Sequence, residues 1–333
     1  MKNNQRILVT GGNGMVGKHL NRLQPNAIYV SSQDYNLVRE AEVKRMFTET
    51  RPTTVIHLAA RVGGIFDNIG HPAEFYDENM LMNTLVLREA HRNGVTRFYG
   101  LLSTCAYPDV SDHYPLTEED LHAGPPPPTN FPYAHSKRGL AVQIDAYNRQ
   151  YGTRYCYLIP CNLYGEYDKF DEGRSHLLPA IVKKIYLANR NRDDKIIVFG
   201  DGTPLRQFLH ARDLAEIIYL CLKHDVTTNM NVATEENLTI HEIARIALRA
   251  CDSEHLRIEH DPTKPNGQMR KDVSIVRFRS VFPEFRFTPL ETGIRDVYRW
   301  YATEQERGNV APDLDSEKSR EQKNRPISER LPV

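Results

Sequence analysis

Residues 6–20 read RILVTGGNGMVGKHL, an apolar run that ends in glycines at 11, 14 and 17 and continues as an amphipathic stretch. Glycines at this spacing suit a strand that turns tightly into a helix: they permit the turn, a close backbone approach to a ligand, and packing of helix on strand. The free N–H groups at such a helix N-terminus hold a pyrophosphate. Gly11, Asn13, Gly14, Met15, Val16 and Gly17 are therefore candidate dinucleotide contacts.

The chain beyond Leu20 repeats the pattern. Short β-branched runs alternate with longer amphipathic ones: AIYV with AEVKRMFTET, TTVIHLA with NMLMNTLVLREAHRNG, then RFYGLL. Such alternation predicts βαβ units and a parallel sheet. A stiff connector, AGPPPPTN, leads into a helix from Tyr133 to about Tyr151. Further strands are expected at RYCYLI, KIIVFG and TNMNVA, and helices near 177–190, 213–223, 240–250 and 290–304. The fold class is α/β, a Rossmann-type doubly wound parallel sheet with a smaller mixed α/β C-terminal substrate domain. Residues 1–165 form the dinucleotide domain, completed by roughly 196–232; residues 166–305 form an interleaved second domain, and 309–333, charged and proline-punctuated, a flexible tail.

Composition narrows the function. The 43 basic and 43 acidic residues cancel and show no basic stripe, so nucleic acid is not an expected partner. The N-terminus has too few apolar residues before its first glycine to be a signal or spanning segment, which predicts a cytoplasmic protein with no membrane partner. Five cysteines with no C-x-x-C pair fit a reducing compartment. Four sit in or beside apolar runs as small buried hydrophobes; the fifth, Cys105 in LLSTCAYP, stands beside Ser103 and Thr104 where a strand meets a proline. No second cysteine or paired histidine lies near it at ligand spacing, so no metal is expected.

At the end of the second strand Ser31 and Ser32 stand where an acidic residue would bind a ribose 2′-hydroxyl, with no carboxylate until Asp34. Hydroxyl donors tolerate a 2′-phosphate and favour NADP (NADPH); alternatively the serines only close a turn. Tyr133 and Lys137 are four apart and so share a helix face. A lysine beside a phenol favours the phenolate. Ser103 follows the fourth strand, at the edge where open α/β sheets place ligands. A solvated lysine beside a half-buried tyrosine is the plainer reading of that spacing alone.

The glycine loop, Ser103 and the Tyr133/Lys137 pair together resemble the extended short-chain dehydrogenase/reductase family, over the chain to about residue 304. The resemblance implies that Tyr133 is the general acid/base, that Lys137 lowers its pKa and binds ribose, and that Ser103 polarises the substrate oxygen. A narrower likeness lies in an ordered set of blocks between residues 57 and 271: HLAARVGGI, STCAYP, NFPYAHSK, YNRQYG, PCNLYGEYDKF, SHLLPAIVKK, VFGDGTPLRQFLH and KPNGQMRK. They resemble the subfamily of GDP-4-keto-6-deoxy-D-mannose 3,5-epimerase/4-reductases, which form GDP-L-fucose. This implies Cys105 as the base and His176 as the acid that invert C3 and C5, before NADPH-dependent reduction at C4. It also implies cofactor contacts from Leu58, Ala59, Ala60, Leu101, Pro160, Asn162, Leu163 and His176. Substrate contacts would come from Val62, Gly63, Ser103, Thr104, Cys105, Asn162, Lys184, Phe199, Arg206, Asn266 and Lys271, and two copies would pair through a helix pair of the first domain as a homodimer.

Taken alone, a histidine before LLPAI would cap a helix. Asn13 stands where bacterial members have arginine, Cys161 where threonine is usual, Lys184 where arginine is, and Asn266 where aspartate is common. Two other readings fit parts of the pattern: a sugar-nucleotide 4-epimerase or 4,6-dehydratase, and a non-catalytic dinucleotide sensor. A 4-epimerase needs no second acid/base pair such as Cys105 with His176, a dehydratase would want a carboxylate beside the serine where STCAY has none, and a sensor needs none of the five reactive side chains.

Overall fold

The computed structural model describes residues 5–171 and 175–308; the tail expected to be flexible lies outside them. The chain runs β1 (Ile7–Thr10), α1 (Met15–Leu23), β2 (Ile28–Val30), α2 (Glu40–Thr50), β3 (Thr54–His57), α3 (Ile65–Gly70), α4 (Pro72–Arg92) and β4 (Arg97–Leu101). After α5 (Phe131–Tyr151) and β5 (Tyr155–Pro160) come β6 (Asn162–Tyr164), α6 (Leu177–Asn191), β7 (Lys195–Phe199), β8 (Leu205–Arg206) and β9 (Phe208–His210). The remainder is α7 (Ala211–His224), β10 (Met230–Val232), β11 (Leu238–Thr239), α8 (Ile240–Ala250), β12 (Arg257–Asp261), α9 (Val276–Val281) and α10 (Leu290–Glu306).

Six strands form one parallel sheet in the order β2-β1-β3-β4-β5-β10. Its strands read as unbroken apolar runs because helices cover both faces: Ile7, Leu8 and Val9, and Val55 and Ile56, are all buried. The strand order reverses between β1 and β3, so their C-terminal ends open a crevice for a ligand. Helices α4 and α5 pack on each other; a Cβ on Gly139 would come within 2.9 Å of Met80 Sδ, so the glycine leaves room for that side chain between them.

A second core gathers α6, α8, α10 and the β7–β12 pair. Helix α8 shows why it belongs there: Ile240, Ile243, Ala244, Ala247 and Leu248 recur at helical spacing and are buried, and Thr239 with Glu242 closes its N-terminus as a capping box. The chain crosses between lobes more often than the sequence suggests. Lys195–Phe199 pairs with β12 in the second lobe, so the stretch that returns to the large sheet is α7 and β10, and Val273, Ile275, Phe278 and Phe282 come back to the first core. Among the described residues no helix is long and apolar enough to cross a membrane.

Candidate active site

The glycine loop turns over the C-terminal end of β1. Gly11 has φ +70°, and a Cβ there would sit 2.8 Å from Ala59 N, so the loop lies directly against the segment after β3. A Cβ on Gly17 would meet Gly12 O at 2.4 Å, which explains why helix and loop can touch. Gly14 caps α1 without any side-chain bond, and the first turn has no acidic residue, so its backbone N–H groups face outward for an anion. Val16 is buried beneath, and Asn13 and Gly14 are exposed at the tip. This cradle fits a dinucleotide pyrophosphate.

At the end of β2, Asp34 Oδ2 accepts from both Ser31 N and Ser31 Oγ, each at 2.8 Å. The expectation that these hydroxyls stand clear of an anion is therefore corrected: the chain doubles back and brings a carboxylate to Ser31. Ser32 beside it is exposed.

Ser103 follows β4 in extended conformation and starts a short 3-10 turn, Thr104–Ala106. Its Oγ accepts from Cys105 N–H at 3.2 Å, and its hydroxyl stands within reach of the Cys105 sulfur. Thr104 is buried, while Cys105 is partly open. Lys271 Nζ lies 3.6 Å from Cys105 Sγ. Lys271 is delivered there by a well-tied segment: Leu116 N–H donates to Asp272 O, Ser274 N–H donates to Leu116 O, and Gln207 Oε1 accepts from Val273 N–H. Burial pushes the Cys105 thiol up, but the Lys271 charge, Ser103 and the Arg206 charge together hold it below the ordinary thiol value.

Tyr133 and Lys137 sit on the first turns of α5. Lys137 is buried, donates to Leu101 O at 2.8 Å and stands 5.6 Å from the Tyr133 ring centre. Burial brings its ammonium down to about 8, and burial together with Cys105 pushes the Tyr133 phenol above its ordinary range. Desolvation and Cys105 thus favour the protonated phenol, against the phenolate that a neighbouring lysine favours. His176 stands at the N-cap position of α6, but its side chain makes no capping bond. Its ring opens onto the cleft with protein crowding around it; burial, then Lys271 and Lys169, lower it to about 4. Cys105 and His176 therefore feel the same lysine.

The other assigned residues gather around this point. Leu101, Pro160, Asn162 and Leu163 lie at the ends of β4, β5 and β6, and Asn162 Nδ2 donates to Gln207 O at 2.8 Å. Cys161 is buried, its thiol pushed up to about 12 by burial, and it acts as a core hydrophobe. Leu58, Ala59 and Ala60 follow β3, with Val62 and Gly63 beyond them; Lys169 Nζ donates to Val62 O at 3.3 Å. Farther out, Lys184 Nζ stands 4.0 Å over the Phe199 ring and donates to Ile197 O. Asn266 accepts from Asp201 N–H and donates to its carboxylate, fastening KPNG to the GDGTP turn. Arg206, brought down to about 10 by burial, lies beside Gly267. Lys169 carried no signal in the sequence beyond being one charge in a loop; only the fold sets it beside His176.

Among the described residues one trio has metal-like spacing, His19, Glu166 and His210, away from Cys105. Arg212 N–H donates to His210 Nδ1, so the neutral ring carries its hydrogen on Nε2, and His210 Nε2 and His19 Nε2 stand 3.4 Å and 3.2 Å from Glu166 Oε2.

Comparison with known proteins places the chain in a family. Residues 7–233 match the NAD dependent epimerase/dehydratase family. A probable GDP-L-fucose synthase of Drosophila melanogaster is 36% identical, the match covering 89% of this chain and 97% of that one. The GDP-L-fucose synthase of Escherichia coli K12 is 32% identical over 91% and 98% of the two chains. The crystal structure of a GDP-L-fucose synthetase from Naegleria fowleri bound to NADP superposes with a TM-score of 0.83 at 32% identity, covering 93% of this chain and 96% of that one.

Proposed function

The chain belongs to the NAD dependent epimerase/dehydratase family and, within it, to the GDP-L-fucose synthases; from that premise we infer that it converts GDP-4-keto-6-deoxy-D-mannose to GDP-L-fucose, inverting C3 and C5 and then reducing C4 with NADPH. The observation that carries the reading is the Cys105 thiol against the Lys271 ammonium, beside Ser103 and the Tyr133/Lys137 turn. A ketone at C4 acidifies the hydrogens on C3 and C5, so a base and an acid beside those carbons can invert both. Cys105, held towards its thiolate by Lys271, takes the proton. His176 returns one from the other side; the substrate's diphosphate favours its charged form against Lys271 and Lys169.

Ser103 turns its hydroxyl hydrogen to the C4 oxygen, and Tyr133, kept protonated by the protein packed around it, delivers a proton to that oxygen as it becomes an alcohol. NADPH, when bound, supplies the two electrons. The glycine cradle, Leu58–Ala60, Lys137, Pro160, Asn162 and Leu163 would hold it. Lys184, Arg206, Phe199 and Asn266 take the GDP moiety, so the first lobe serves the cofactor and the second the sugar nucleotide. Lys184 acts as a point charge stacked on Phe199 rather than as a fork.

Two copies pair through α4 and α5, where Tyr76, Leu81, Val142 and Tyr151 expose apolar surface. Free cysteines, four of them buried, suit the cytoplasm. Incubation with GDP-4-keto-6-deoxy-D-mannose and NADPH tests the assignment: absorbance of the reduced cofactor falls and GDP-L-fucose forms. A folded protein that leaves the absorbance unchanged refutes it.

The role of Lys271 has its own test. Lys271→Met removes the charge that offsets burial, so the Cys105 thiol rises. Exchange at C3 and C5, which fades as pH falls through the thiol pKa, then loses its acid limb at a higher pH than in the unmodified protein. A limb that stays in place between pH 5 and 9 would separate Lys271 from the thiol.

A further inference from the structure

Behind the site runs a buried chain of polar groups that the reaction as described does not use. Ala59 N–H donates to Thr10 Oγ1 at 3.4 Å, and Thr10 Oγ1 lies 2.8 Å from His57 Nδ1. His57 Nε2 lies 3.1 Å from Asn83 Oδ1, and Asn83 Nδ2 donates to Ser136 O at 3.1 Å. Ser136 Oγ donates to Tyr133 O at 2.6 Å. Thr10, His57, Asn83 and Ser136 are all at most 2% exposed.

The direction of this chain is determined at both ends. A backbone N–H can only donate and a carbonyl can only accept. Because Ser136 O accepts, the Asn83 amide must present its NH2 there and its oxygen to His57. His57 therefore carries its hydrogen on Nε2, and its bare Nδ1 accepts from the Thr10 hydroxyl. Every member has one orientation. The ring stays neutral, burial and then the Lys137 charge lowering it to about 3. The chain starts at Thr10 and Ala59, which flank the glycine cradle, and ends on the backbone of the Tyr133–Lys137 turn.

An apolar core between these strands and helices would be no less stable, but it would not fix a spacing. We propose that His57 and Asn83 are positioning residues for the reduction, holding the Tyr133–Lys137 turn of α5 at a set distance and angle from the nucleotide cradle formed by β1 and β3. Cys105 is excluded from this control, because it hangs on the turn after β4 and is tuned by Lys271 and Ser103. The proposal rests on the assignment of Tyr133 and Lys137 to the reduction half of the activity.

The two half-reactions can be measured apart, which separates positioning from stability. Asn83→Leu and His57→Leu should lower NADPH-dependent reduction at saturating cofactor by about 10- to 100-fold, while solvent deuterium exchange at C3 and C5 without NADPH, per folded molecule, keeps the rate of the unmodified protein. His57→Gln, whose amide keeps an acceptor towards Thr10 and a donor towards Asn83, should recover most of the loss. Thr10→Val, nearly isosteric, gives the same pattern in a smaller degree and serves if the leucine variants do not fold. Exchange and reduction falling in parallel, or reduction unchanged in Thr10→Val and His57→Gln alike with the leucine variants at full rate, would overturn the proposal. Absence of both reactions in the unmodified protein overturns the assigned activity and this proposal with it.

Discussion

Cys105→Ser loses deuterium exchange at C3 and C5 by about 10²- to 10⁴-fold, measured by mass on GDP-4-keto-6-deoxy-D-mannose in heavy water without NADPH. The substitution keeps shape and hydrogen-bonding ability. What it removes is acidity, since Lys271 at 3.6 Å and Arg206 nearby can draw a thiol into the useful range but not an alcohol. Burial works against ionisation here, so the cations are what make the side chain a base. Tyr133 keeps its proton through burial, and NADPH-linked reduction of the uninverted ketone persists. Exchange at the parental rate would move the base to another residue, with Lys271 the first to test.

Tyr133→Phe shows the reverse pattern. Reduction falls by about 10²- to 10⁴-fold, followed as NADPH absorbance, while exchange at C3 and C5 continues. The variant should fold normally: the Tyr133 ring packs edge-on against Phe75 at 6.3 Å, and phenylalanine keeps that contact. The phenol is partly open to the cleft, so its loss leaves no sealed polar cavity. Because burial raises the phenol, Tyr133 is an acid across neutral pH and the loss should be pH-independent there. A rate within reach of the parent would assign the proton to Ser103 or to solvent.

The large sheet was legible because its strands are apolar runs separated by helices of regular period, and every expected run from RILVT to TNMNVA except KIIVFG became one of its strands. KIIVFG left for the second lobe because its partner, Arg257–Asp261, reads RIEHD, with no apolar alternation to announce a strand. The strands at 205–206 and 238–239 are two residues each, and the helices at 65–70 and 276–281 are under two turns, too short for a period to show. Distance in sequence hid the rest. Lys271 stands 166 positions from Cys105, and Asp34, three residues past Ser31, folds back onto it only because of the turn after β2.

The sequence alone pointed to the kind of chemistry: a glycine loop between strand and helix at the start of a βαβ series suits a dinucleotide, and a tyrosine and lysine one turn apart share a helix face whatever surrounds them, because both follow from local backbone geometry. Protonation states were decided only by the tertiary structure. Whether Cys105 is a thiolate, Tyr133 a phenol or His57 neutral depends on how much protein excludes water from each and which charges face it, and those neighbours come from segments far apart in the chain.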